Sequence, residues 1–141
     1  MWNNLDIQVR NSLNIKQFKN KLNSGLSKVP KQFYAGERKY NIYHARQRNG
    51  CSSLYNDLYN NHVAESPTCT CQVEAEDAYH YFFSCRKFTR QRDILNDELS
   101  NININLSVLL FGSETLTNNE NTRIFTAVQK FIKCTKRFEP P

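Results

Sequence analysis

No segment of the chain approaches the roughly 18 consecutive apolar residues that a membrane-crossing helix needs, so no membrane partner is expected. The opening residues, Met1-Trp2-Asn3-Asn4-Leu5-Asp6, lack the basic segment and apolar run of a secretory leader. A nuclear or cytoplasmic, non-secreted protein is the expectation. Glycine and proline are scarce, with 4 of each in 141 residues, which excludes collagen-like and glycine-loop designs. No glycine-rich phosphate loop occurs, and no serine or cysteine sits in a nucleophile motif, so no catalytic residue and no small-molecule substrate are expected. Asp93 and Asp97 lie one helical turn apart, but ordinary ion pairing with Arg90 and Arg92 accounts for them. The five cysteines are an odd number in a chain without a leader, which argues for reduced thiols or metal ligands over disulfides.

Acidic residues are almost missing from the first third. Residues 1–50 carry ten Lys/Arg against two acids, residues 51–104 four against eight, and residues 105–141 five against three. Such a basic stretch attracts an anionic polymer, RNA or DNA. Its candidate contacts are Lys16, Lys19, Lys21, Lys28, Lys31, Lys39, Arg46 and Arg48. The plainer alternative is a solvated helical face without a partner.

Hydrophobic periodicity is mainly helical. Ile15, Phe18, Leu22 and Leu26 recur three or four apart over residues 14–26, and a short helix is expected from Tyr40 to Arg48. Leu54 and Leu58 mark another, and Phe88, Leu95, Leu99 and Ile102 a further one. Val108 to Gly112 reads as a buried extended segment or one helical turn. The last helix spans about Asn119 to Phe138. The expected fold is a small, mainly α domain organised around an irregular zinc-binding loop, with a core of Phe18, Leu54, Leu58, Leu95, Leu99, Phe125, Val128 and Phe131. Residues 1–35 would form a basic amphipathic arm and residues 36–141 the helical domain.

One cluster has metal-ligand spacing. Cys69, Cys71, His80 and Cys85 follow the pattern C-x-C-x8-H-x4-C, and three thiolates with one imidazole suit tetrahedral zinc. All four positions are filled by protein, which makes a single structural Zn2+ the expectation. The alternative is a chance grouping of buried cysteines. If His80 and Cys85 share a helix, their five-residue separation requires a distorted turn. Glu74, Glu76 and Asp77 read as solvated loop residues, and Tyr79, Tyr81, Phe82 and Phe83 as walls of the site. Tyr79 and Tyr81 are also candidates for stacking on unpaired bases. Cys51 is expected to be a buried thiol, Cys134 half-buried, and His44 and His62 helix-face residues.

The order of several segments resembles the C-terminal tail of a non-LTR (LINE-type) retrotransposon endonuclease/reverse transcriptase polyprotein. The resemblance starts with Trp2-Asn3-Asn4-Leu5, Ile7, Arg10-Asn11-Ser12-Leu13, Phe18-Lys19 and Leu22. It continues through Gly36-Glu37-Arg38-Lys39-Tyr40-Asn41-Ile42, His44-Ala45-Arg46, Gly50-Cys51-Ser52 and Leu54. The Cys69, Cys71, His80, Cys85 set matches the family's zinc-knuckle-like motif. Arg90-Gln91-Arg92, Leu109-Leu110-Phe111-Gly112 and Ala127-Val128-Gln129-Lys130-Phe131-Ile132 complete it. The resemblance implies a non-catalytic tail, a truncated copy or fragment, that contacts template RNA or target DNA and packs against a reverse transcriptase domain. No adjacent Asp-Asp pair is present to carry polymerase chemistry. The alternative function is a structural or protein-interaction module whose zinc only stabilises the fold.

Overall fold

A computed structural model describes residues 29–141. The helix expected over residues 14–26, with Phe18, Lys16, Lys19, Lys21 and Lys28, lies outside the described residues. The described chain forms five α-helices: α1 (Arg38–Arg48), α2 (Tyr55–Asn60), α3 (Thr89–Glu98), α4 (Leu106–Phe111) and α5 (Asn118–Thr135). Short 3-10 turns cover Lys31–Tyr34 and Arg86–Phe88, and a π turn covers His80–Ser84. No sheet occurs among the described residues, where the only β pairing is one antiparallel bridge between Thr68 and Ala75.

Helix α5 is the central element. Thr117 and Glu120 form a reciprocal capping box that satisfies two otherwise unpaired backbone donors at its start. Its apolar stripe, Ile124, Phe125, Ala127, Val128, Phe131 and Ile132, is buried throughout. Helices α1, α3 and α4 and the Lys31–Tyr34 turn all pack on it. Left-handed Lys136, at φ 52°, ends the helix and turns the chain back. The last helix therefore stops at Thr135, and Phe138 packs from the tail that follows it.

Val108 to Gly112 resolves as helix: Asn105 accepts from the Val108 N–H at 2.9 Å and starts α4. Gly112 ends it at φ 75°, where an added Cβ would meet Asn121 Oδ1 at 2.5 Å. That close approach requires glycine. Leu54 is fully buried ahead of α2, whereas Leu58 is only half-buried. Residues 31–35, assigned to the arm from sequence, pack on the helical body. Phe33 meets Phe125 edge-on with ring centroids 5.2 Å apart, and Gln129 donates to the Ala35 carbonyl at 2.7 Å.

Tyr81 and Phe82 are the aromatic hub that joins this body to the metal loop. Tyr81 is fully buried, with Phe82, Phe88, Phe131 and Phe138 around it at centroid distances of 5.0 to 5.4 Å. Its hydroxyl reaches Thr135 Oγ1 at 2.6 Å, so its polar end is satisfied inside the core.

Candidate metal centre

A tight knuckle presents the first two ligands. The Thr68–Ala75 bridge closes the loop, Cys69 N–H donates to Glu74 O at 2.9 Å, and Gln72 N–H donates to Cys69 O at 2.8 Å. Gln72 completes the turn at φ 63°, a left-handed conformation costly for a residue with a Cβ. With Cys69 and Cys71 on this turn, the Cys71 N–H points at Cys69 Sγ, 3.5 Å away.

The π turn presents the other two. In an α-helix His80 and Cys85 would project about 140° apart. Winding with i→i+5 bonds brings them to one side, closed by Cys85 N–H donating to His80 O at 2.7 Å. The distorted turn demanded by the x4 spacing is this π turn. Asp77 Oδ1 accepts from the His80 N–H at 2.7 Å and holds its start.

The four ligand atoms lie within 4.8 Å of one another, and all four residues are buried. A tetrahedral zinc with bonds of about 2.3 Å to sulfur and about 2.0–2.1 Å to nitrogen sets S···S edges of about 3.8 Å and S···N edges of about 3.5 Å. Cys69 Sγ and Cys85 Sγ are 3.8 Å apart, and Cys71 Sγ and His80 Nε2 are 3.3 Å apart. The donor set fits one structural Zn2+. Glu74 accepts from His80 Nδ1 at 2.7 Å, which fixes the tautomer that leaves Nε2 as the ligand. Hydrogen bonding to His80 in turn holds the Glu74 carboxyl below its ordinary range.

The thiols are not equivalent. Burial pushes Cys69 up to about 12, reinforced by the Cys71 and Cys85 side chains and by Glu76. For Cys71 burial also opposes ionisation, but the Val73 N–H, the Cys69 side chain and His80 outweigh it and bring the thiol down to about 7. A divalent cation at the centre overrides this difference, because coordinating thiols are deprotonated outright.

Three cations brace the cluster. Arg86 donates to Cys71 O at 2.8 Å, Arg92 to Phe82 O at 2.9 Å and Cys85 O at 2.6 Å, and Lys87 to Thr70 Oγ1 at 2.7 Å. Three thiolates and one Zn2+ carry a net negative charge, which these groups offset. Arg92 is therefore half-buried and engaged, not a free surface residue.

The acidic residues of the loop are not simple solvated groups either. Glu74 orients His80, Asp77 caps the π turn, and Glu76 is only 1% exposed, bound by Arg137. Sequence reasoning missed all three roles because the partners are distant in the chain or depend on the turn geometry. Cys51 and Cys134 are both exposed, against the expectation of buried and half-buried thiols. Cys51 follows the exposed Asn49-Gly50 turn, and Cys134 faces outward in the last turn of α5.

His44 is on the inner face of α1, fully buried, and donates from Nε2 to Leu109 O at 2.8 Å. Burial, aided by nearby Arg48, pushes it down to about 3 despite the bond to the Leu109 carbonyl. His62 follows α2 in a left-handed turn at φ 58°.

The basic candidates divide into two groups. Arg48 donates to Leu110 O at 3.2 Å and lies over the rings of Phe33 and Phe125 at 4.8 and 5.4 Å, so it is a packing residue. Lys39 is paired with Glu139. Lys31 and Arg46 are exposed and have no ion pair among the described residues. Of the two stacking candidates, Tyr81 is inaccessible, whereas Tyr79 is 57% exposed and rests against Phe83 at 5.2 Å. No helix of the described residues is long and apolar enough to cross a membrane.

The chain is thus a small helical module built around a Cys3His zinc-type cluster. No protein-family model, curated protein or solved structure matches it.

Proposed function

We propose that the chain is a non-catalytic interaction module in which one zinc orders the loop 67–85 and thereby fixes the helices that meet a macromolecular partner. The observation that carries this reading is the convergence of four buried ligand atoms within 4.8 Å. A tetrahedral set filled by protein leaves no open coordination position for substrate or activated water, which is the arrangement of structural zinc. Elemental analysis of the purified protein after gel filtration should return about one zinc per chain. A folded chain without metal would sink the reading.

A second reading makes the partner RNA or DNA and the chain the tail of a non-LTR retrotransposon reverse transcriptase. Its support is the order of motifs from Trp2 to Ile132, together with exposed Lys31, Arg38 and Arg46 and the exposed aromatic face of Tyr79. Arg86 and Lys87 add positive charge where they touch the zinc knuckle. Gel-shift titration of the zinc-loaded full chain with single-stranded RNA and duplex DNA distinguishes the readings. Phosphate contacts make log affinity fall by about 0.7 to 0.9 per neutralised phosphate for each tenfold rise in salt. No binding at low salt leaves the protein-interaction reading.

A further inference from the structure

Glu76 is unusual among the acids of the metal loop. Its carboxylate is almost fully buried, and its Oε1 lies 3.8 Å from Cys69 Sγ. Arg137, from the tail beyond α5, grips it with two bonds: Nε donates to Oε1 at 2.7 Å and a terminal nitrogen to Oε2 at 2.5 Å. The Tyr55 N–H at the start of α2 donates to Oε2 at 3.0 Å. The backbone of Glu76 is tied as well, donating to Pro67 O at 2.8 Å and accepting from the Asn56 N–H at 3.2 Å. Arg137 also donates to Ser53 O at 3.0 Å and lies over the Tyr55 ring at 5.1 Å. It reaches this place because left-handed Lys136 breaks α5 and returns the chain toward the loop.

We propose that Arg137 and Glu76 are a positioning pair that sets how tightly the Cys69, Cys71, His80, Cys85 cluster holds its metal. The inference rests on the zinc reading above. With zinc bound, Cys69 is a thiolate, and the Glu76 carboxylate beside it is a second negative charge in a buried place. Their repulsion opposes the closed loop. The guanidinium cancels it, and its bidentate geometry fixes the carboxylate that anchors α2 through the Tyr55 N–H, while the backbone of the same residue ties the Pro67 end of the loop. Neither residue belongs to the ligand set; both act through Cys69. Removing Arg137 alone leaves a buried carboxylate uncompensated next to the thiolate, which is the costly way to break such a pair, whereas neutralising both members removes the repulsion.

The test is zinc affinity of the full chain, measured by competition with a chromophoric chelator, with the visible spectrum of the cobalt(II) form reporting ligand geometry. R137M should bind zinc roughly 10–100-fold more weakly. R137K should recover part of that loss, and E76Q/R137M most of it. K39M releases the same tail at Glu139 but leaves the carboxylate paired; it should stay within about threefold of the parent, as exposed ion pairs contribute little. Should R137M fail to fold, the double variant and R137K still decide the matter. Equal losses in R137M and K39M, or no recovery in the double variant, overturn the inference, because the tail would then act only as a tether. A parent chain that takes up no zinc refutes the zinc reading itself, and that result is seen before any variant is compared.

Discussion

Residues 67–85 and residues 106–132 are both well packed, yet they depend on different forces. The second stretch buries an apolar helical stripe, from Leu109 through Ile132, against three neighbouring elements; most of its backbone groups bond within α4 and α5, and the Leu109 and Leu110 carbonyls accept from His44 and Arg48. Burial of side chains such as Phe125 and Ile132 contributes about 1.5–3 kcal/mol each. The first stretch has one β bridge and a single π turn as its regular structure, and much of its interior is thiol, imidazole and carboxylate. Imidazole and carboxylate do not stabilise a fold by leaving water, and thiolates buried without a cation oppose it. The helical body is therefore a product of hydrophobic periodicity, and the loop a product of coordination, with Tyr81 and Phe82 as the seam between them.

Substitutions on either side should separate these two sources of order. Cys71→Ser should have the largest effect. Structural zinc contributes an apparent binding free energy of about 10–16 kcal/mol in small zinc domains. Loss of a ligand should remove the metal and abolish amide-exchange protection across residues 69–85. Cys51→Ser, at an exposed thiol, should change stability by no more than about 0.5 kcal/mol. Phe125→Ala, at a fully buried ring, should cost about 3–5 kcal/mol by urea unfolding. That cost should persist after chelation, whereas the Cys71→Ser effect should vanish once the parent protein is also metal-free.

His44 gives the helical body a pH dependence of its own. Its folded-state value of about 3 lies below the roughly 6.5 of an unfolded chain, so the unfolded state takes up the proton first. Stability is complete above about pH 6.5 and falls as pH drops toward 3, by up to about 1.4 kcal/mol per pH unit. His44→Gln keeps a donor for the Leu109 carbonyl but does not titrate. Its urea midpoint should fall less than that of the parent between pH 7 and pH 5.5. An equal fall in both would assign the acid sensitivity to the metal ligands alone. A small effect of the opposite sign is expected at the knuckle: Gln72→Gly relieves a left-handed φ of 63° and should stabilise the zinc-loaded protein by up to about 1 kcal/mol, read as a higher urea midpoint.

The same contrast explains what could be read from the sequence. Ile124, Val128 and Phe131 repeat at helical spacing, so α5 and its buried face are legible without coordinates. The ligand set is legible for a different reason: Cys and His are few, and four of them fall within 17 residues. The gaps arise where a residue's role depends on a partner far along the chain. His44 is a core residue because the Leu109 carbonyl, 65 positions away, accepts a hydrogen bond from its ring N–H, and Glu76 is an anchor because Arg137 returns to it across 61. Arg48 belongs to the basic stretch by composition, but Phe33, Phe125 and Leu110 make it a packing residue. Val108 to Phe111 is too short for periodicity to choose between strand and helix; the Asn105 cap and Gly112 decide it.

The central claim is that a metal orders the loop while hydrophobic packing orders the helices. Chelation of the purified full chain, followed by residue-resolved amide exchange, tests it most directly. Removal of one zinc should release protection throughout residues 67–85 and leave the interior of α5, from Ile124 to Ile132, protected. Unchanged exchange in the loop after complete loss of metal would contradict the account.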